Sequence, residues 1–327
     1  HSGILEDSLL LDARQDFNAV GDGKADDTEA LQNMIDAARN AGKQTIAYLP
    51  VGTYRVTQTL NISGADWQLQ GSGEQSKIEW GGPAGGTIIH VRDPQRLTIS
   101  FLSVGSIPHF KNGEDILQTS SGTIPSSITY DKIRVYGPPY NPRSKATYDY
   151  DARGLHLKEL QPSDQVLITY ITGNLHLNDS AAATILCNIS FNTGKVIVEG
   201  KSLQRQGFFG IQTKLGVVEN PSIIVRDNHS LIATDYYVES SPVFGRFAGN
   251  QVPATGRITL QGPKASTRTD TMFEFDDYAG EFTFGPQQFF ISPPVARITQ
   301  QGNQPLSMLF YASFFYNMTL DISTSSN

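Results

Sequence analysis

The stretch Asp16–Leu60, DFNAVGDGKADDTEALQNMIDAARNAGKQTIAYLPVGTYRVTQTL, decides how the rest of the chain is read. Gly21-Asp22-Gly23 reads as a turn, because two glycines flank a residue type that tolerates positive φ. Asp26 is placed to cap a helix, and Glu29 is placed to reach back and complete a capping box. Leu31, Met34, Ile35 and Ala38 fall on one helical stripe, which Gly42 ends. Beyond it Ile46 and Tyr48 alternate, Pro50-Val51-Gly52 turns, and Tyr54 and Val56 alternate again, which is strand patterning. One amphipathic helix feeding a long run of short strands is what the first coil of a solenoid needs, since its apolar end would otherwise lie open.

Short alternating runs follow in quick succession: Leu60-Asn61-Ile62, Trp67-Gln68-Leu69, Lys77-Ile78-Glu79-Trp80, Thr87-Ile88-Ile89-His90-Val91 and Leu97-Thr98-Ile99-Ser100-Phe101-Leu102. Glycine-rich turns separate them. About three such strands per coil of roughly 20–30 residues fit a parallel β-helix. Residues 105–127 and 137–153 are rich in Gly, Pro, Ser and charge and read as loops, with a strand pair at 128–136 between them. Coils resume at Gly154 with Leu155-His156-Leu157 and Leu175-His176-Leu177 and run to about residue 264. The tail, 270–327, alternates phenylalanine with acids, as in Phe273-Glu274-Phe275-Asp276. It reads either as a C-terminal cap sealing the last coil or as an aromatic platform for sugar rings. The expected architecture is one all-β domain over 1–327, with a cap and first coil at 1–60 and C-terminal coils or a cap at 270–327.

Phe17-Asn18-Ala19-Val20-Gly21-Asp22-Gly23, Asp26-Asp27-Thr28 and Leu49-Pro50-Val51-Gly52-Thr53-Tyr54 resemble the opening module of the pectate-lyase superfamily of right-handed parallel β-helices. Polygalacturonase-like enzymes, family 55 glycoside hydrolases and phage tailspikes share that module. The later coils resemble, in patches, bacterial relatives of family 55 glycoside hydrolases. The resemblance implies a secreted or periplasmic protein that meets polysaccharide or oligosaccharide, as a monomer or a homotrimer.

The composition narrows the partners. The formal net charge is −7 and no basic block stands out, so nucleic acid is a poor partner. Cys187 is the one cysteine, which rules out an internal disulfide or a thiolate metal cluster. No apolar run is long enough to cross a bilayer as a helix, and no membrane partner, metal or other cofactor is expected. His1-Ser2-Gly3 has the look of a tag remnant and no secretion leader is read, so the expected location follows from the resemblance.

Hydrolysis of a glycosidic bond needs two carboxyls across the scissile bond. A lyase instead needs a base, and a cation to neutralise a uronate carboxylate. In Thr234-Asp235-Tyr236-Tyr237-Val238-Glu239, Asp235 and Glu239 are four apart and would share one face of a strand. Glu239 is the candidate general acid, Asp235 or Asp227 its partner, and Tyr236, Tyr237, Arg226 and His229 would bind substrate. The same acids also read as solvated, with Asp227-Asn228 as a turn. Tyr148–His156 gathers two acids, two tyrosines, Arg153 and His156, either as a sugar-binding group or as a solvated loop. Glu274, Asp276, Asp277 and Glu281 form a third acidic group, read as a site or as a solvated strand face. Gly-His-Gly and Arg-Ile-Lys, the marks of polygalacturonases, are absent, as are HExxH, GxSxG and a P-loop. The function expected is a glycoside hydrolase acting on a polysaccharide, with a polysaccharide lyase or a non-catalytic glycan-binding β-helix as alternatives.

Overall fold

The computed structural model describes residues 9–105, 113–135, 154–180, 184–189, 196–199, 205–209, 212–214, 223–226, 230–234, 237–241, 245–248, 256–261, 264–267, 271–285, 287–291, 295–302, 304–311, 313–315 and 319–325. Between 181 and 244 it describes backbone alone. The helix Thr28–Ala41 is the one helix among these residues, and all paired strands run parallel.

Each turn of chain lays down a strand on each of three columns, so residues a coil apart in sequence become neighbours in a sheet. In the first column Ala47, Leu69, Ile99, Tyr130 and Ile168 stand in one inward row, and all are buried. The second column runs through Gly52–Val56, Ser76–Trp80, Ser103–Gly105 and Ile133–Val135. The long strand Gln165–Thr172 joins both columns, pairing with Ser127–Asp131 at its start and Ile133–Val135 at its end, and Thr184–Ile189 pairs with its far side. The third column is a sheet of 11 strands. It runs from Leu60–Ile62 through Thr87–Arg92, Glu114–Thr119, Leu155–Lys158 and Leu175–Asn178 to Thr319–Ser325. The fold is an all-β parallel β-helix, as the strand spacing predicts.

Inward and outward positions alternate because successive side chains of a strand point to opposite faces. Thr45, Ala47 and Leu49 point in, which turns Ile46 and Tyr48 outward; Tyr54 and Val56 point in. The corner between the first two columns is turned by a left-handed residue, Phe101 (φ 55°) in one coil and Lys132 (φ 49°) in the next. The Lys132 ammonium lies 5.2 Å from the centre of the Phe101 ring.

Three expectations are corrected. First, the helix is capped one residue later, at Asp27, with no side-chain cap hydrogen bond. The buried Asp27 carboxylate instead accepts from the backbone N–H of Val20 and Gly21, at 2.7 and 2.9 Å, and holds the turn. Asp26 accepts from Thr28 and Thr57, so no capping box forms. Second, residues 105–127 are not one loop: Glu114–Thr119 is a strand, with Ile116 and Gln118 pointing in. The Gln118 side-chain carbonyl in this strand accepts from the Tyr130 hydroxyl inside the core at 2.7 Å. Third, the aromatic tail forms ordinary coils. Phe273, Phe275, Phe282 and Phe284 are buried core residues, with Phe247 stacked on Phe275 at 5.0 Å and Phe273 edge-on to Phe282 at 4.8 Å. That excludes these four rings as a sugar platform. The strand pair at 128–136 is present as Ser127–Asp131 and Ile133–Val135, whereas 136–153 lies outside the described residues.

The helix seals the first coil by burying Leu31, Met34, Ile35 and Ala38. Its Gln32 also covers the open edge of the third column. The side-chain carbonyl accepts from the Asn61 N–H at 2.8 Å and the amide donates to the Asn61 carbonyl at 3.1 Å. One carboxamide thus stands in for the missing neighbouring strand.

Candidate functional site

On the third column, Leu155, Leu157, Leu175 and Leu177 point into the core, so His156 and His176 between them point out. The register places them in one outward row, Asn61–His90–Leu117–His156–His176. The row beside it is Ile88–Asp115–Gly154–Asn174. Outward residues of a β-helix are normally solvated, as Asn61, Arg92 and Arg257 are. Here the polar ones are out of solvent: Asp115 and His156 are 1% exposed, His176 4% and Asn174 5%. Burying polar groups on the outside of a coil costs stability unless something is gained, which makes this cluster a candidate site.

The site's centre is a carboxylate–imidazole pair. His156 Nδ1 lies 2.7 Å from Glu114 Oε2. With that proton donated to Glu114, the neutral ring carries its lone pair on Nε2. Nε2 is buried and has no hydrogen-bond partner. The His156 and His176 rings stack at 4.5 Å, inclined by 22°, which fixes the imidazole plane. Two strand steps before His156, His90 Nε2 lies 2.9 Å from the Thr119 hydroxyl, and Arg92 donates to His90 Nδ1 at 3.2 Å. Burial, then the Arg92 charge, hold His90 below the usual histidine value, against an opposing pull from Glu114. Lys158 is two residues beyond His156 on the same side of its strand. The face therefore brings together an oriented imidazole, cationic groups and carboxylates. Among the described residues no group of three or more His, Cys, Asp or Glu is arranged to hold a metal ion.

The sequence-predicted site residues are dispersed. His156 is at the centre of the described site. Arg226 ends the strand Ile223–Arg226 of the same column, three strand steps further on, or about 14 Å at the usual strand separation. Glu239 and Tyr237 lie on Tyr237–Ser241, in a different sheet. Asp235, Tyr236, Asp227, His229 and Arg153 lie outside the described residues. Two members of the acidic group at 274–281 are surface ion pairs: Glu274 with Arg246 at 2.6 Å and Glu281 with Arg257 at 2.7 Å. Sequence reading missed Glu114, Asp115, His90 and His176. One signal was available: Leu155-His156-Leu157-Lys158 and Leu175-His176-Leu177-Asn178 are near-repeats one coil apart, and an invariant polar residue between two inward leucines stacks on itself.

Residues 13–96 match the family model for rhamnogalacturonase A/epimerase, pectate lyase-like. The match covers the cap and the first coils. Alginate lyase 7 of Azotobacter vinelandii is 60% identical to the chain over 43 residues, which is 13% of this chain and 5% of that protein. The mannuronan C5-epimerase AlgE3 of the same organism is 58% identical over 43 residues, 13% of this chain and 2% of its own length. The chain thus spans only a small part of these curated relatives. Among solved structures, the endo-xylogalacturonan hydrolase of Aspergillus tubingensis is similar with a TM-score of 0.49 and 11% identity, over 96% of this chain and 93% of that one. The AlgE4 epimerase A-module of Azotobacter vinelandii has a TM-score of 0.45 and 14% identity, over 97% and 99%. Asp27 and Gln32 lie within the matched residues; Glu114, His156 and His176 lie beyond them.

Proposed function

We propose that this pectate-lyase-like β-helix is a secreted or periplasmic enzyme acting on a polysaccharide, and that its reaction centre is the cluster of Glu114, His156 and His176 on the third column. The observation that carries the reading is the buried His156 Nε2, unclaimed by the protein while Glu114 holds the opposite ring nitrogen. That is the arrangement of a general base. It suits removal of the proton next to a uronate carboxylate, with Lys158 or Arg92 positioned to neutralise the acid group. Loss of the C4 substituent then gives a lyase, and reprotonation from the other side gives an epimerase. The names of the relatives, alginate lyase and mannuronan C5-epimerase, support this chemistry. Hydrolysis by Glu239 with Asp235 or Asp227 is the second reading, supported by the spacing of those acids along the chain.

Incubation with mannuronan, polygalacturonate and rhamnogalacturonan separates the readings. A lyase produces near-ultraviolet absorbance. An epimerase incorporates deuterium from heavy water at C5 without chain cleavage. A hydrolase releases reducing ends with no absorbance, and would overturn the base assignment. Binding of the polymers with none of the three signals would make the protein a glycan-binding β-helix.

A further inference from the structure

A cavity lined by polar side chains opens at the head of the row that leads to the proposed reaction centre. It has a volume of about 530 Å³ and lies between the helix Thr28–Ala41 and the edge strand Leu60–Ile62. Asn61 is in its wall and is also the first member of the row Asn61–His90–Leu117–His156. Three strand steps, about 14 Å, separate Asn61 from His156. An extended chain molecule lying across the coils would reach both places at once.

The lining differs in kind from the reaction centre. Glu29 and Asn33 are four apart on the helix and share one face of it, with Gln58 across the cavity. All three are exposed, and among the described residues none of their side chains makes a hydrogen bond or ion pair. Gln32, by contrast, is committed to the edge of Leu60–Ile62 and Asp26 to Thr28 and Thr57. Two carboxamides offer paired donors and acceptors, which suit adjacent sugar hydroxyls. The Glu29 carboxylate accepts from a hydroxyl and repels a uronate. Arg92 and Lys158, in the row two residues along from His90 and His156, favour the opposite charge.

Resting on the proposed function, we infer that this cavity is a remote subsite for an uncharged, hydroxyl-rich sugar unit of the same polysaccharide whose acidic unit lies at His156. The geometry sets a direction for the chain, neutral end at the helix and acidic end at the histidines. It also favours a polymer in which uronate alternates with neutral sugar over one made of uronate alone.

The test is direct binding, by calorimetry, of a rhamnogalacturonan hexasaccharide, a rhamnogalacturonan disaccharide and a mannuronan hexasaccharide. The double variant Asn33→Ala, Gln58→Ala is expected to weaken the first by about fivefold to a hundredfold, for two lost hydrogen bonds. It should leave the disaccharide, too short to span the row, unchanged. Glu29→Gln is expected to tighten the mannuronan hexasaccharide by about two- to fivefold. The melting temperature of both variants should match that of the parent protein, because the altered side chains are exposed. Unchanged hexasaccharide affinities, or no binding of either hexasaccharide, overturn the subsite. If these affinities shift as expected but no polysaccharide is turned over, the subsite stands and the reaction assignment falls. If turnover is seen but depends on none of Glu29, Asn33 or Gln58, the reverse holds.

Discussion

At the scale of single residues, the site is made by contacts that no local reading of the chain contains. Glu114 and His156 are 42 residues apart and meet only because two strands stack in register. His156 was legible as a candidate from its company in Tyr148–His156; its partner was not, because Glu114 sat in a segment whose Gly, Pro and Ser content hid a strand. Glu114→Gln keeps an acceptor for Nδ1–H but removes the charge that stabilises a protonated ring. Turnover should fall by about ten- to a hundredfold, less than on removing the imidazole, while substrate affinity holds; a rate equal to the parent's would remove Glu114 from the mechanism. His90 carries a separate prediction. Its proton affinity is lowered in the folded state by burial and by Arg92. The unfolded chain therefore takes up that proton first as the pH drops through about 6.5, and stability declines with it. His90→Gln should flatten the fall in melting temperature between neutral and mildly acidic pH. An unaltered slope would show that the depressed proton affinity of His90 contributes nothing to stability.

At the scale of elements, alternation along short strands was enough to announce coils, since Leu60-Asn61-Ile62 or Leu69-Gln70-Gly71 can bury only every second residue. Phase was harder. The chain offers Ile46 and Tyr48 as the apolar pair, yet Ala47 and Leu49 go inside, because the space above the capping helix takes the smaller residue. The capping box failed for a related reason: the tertiary demand to hold the Val20–Gly21 turn claimed Asp27, and the helix start moved with it. Corners leave less freedom than faces. A β-carbon on Gly71 would sit 2.3 Å from the Phe101 carbonyl oxygen and 2.7 Å from Ser76 Cβ. Both are backbone or anchored atoms that cannot give way. Gly71→Ala should cost about 1–3 kcal/mol in urea unfolding, and a variant as stable as the parent would mean the corner is looser than the coordinates have it.

At the scale of the whole molecule, each coil touches only its neighbours, so stability is close to a sum of local terms along the axis. The early coils are filled by aliphatic residues with Trp67 and Tyr130, the later ones by phenylalanines around Phe247. Phe247→Ala should cost about 3–5 kcal/mol. Because Gly71 lies several coils away, the double variant should lose the sum of the two single costs to within about 0.5 kcal/mol. A larger departure would indicate coupling through the third column, the one sheet that runs through all the described coils. The proposed function uses the length of that column: one polymer lying along it would meet the polar pocket at the cap and an imidazole three strands away. The central claim is that His156 is the base in that row. Its most direct test is the turnover of His156→Ala on whichever polysaccharide the parent protein consumes, measured beside its melting curve and circular dichroism. The expected result is a loss of about a hundredfold or more with coils intact; undiminished turnover by a folded variant would contradict it.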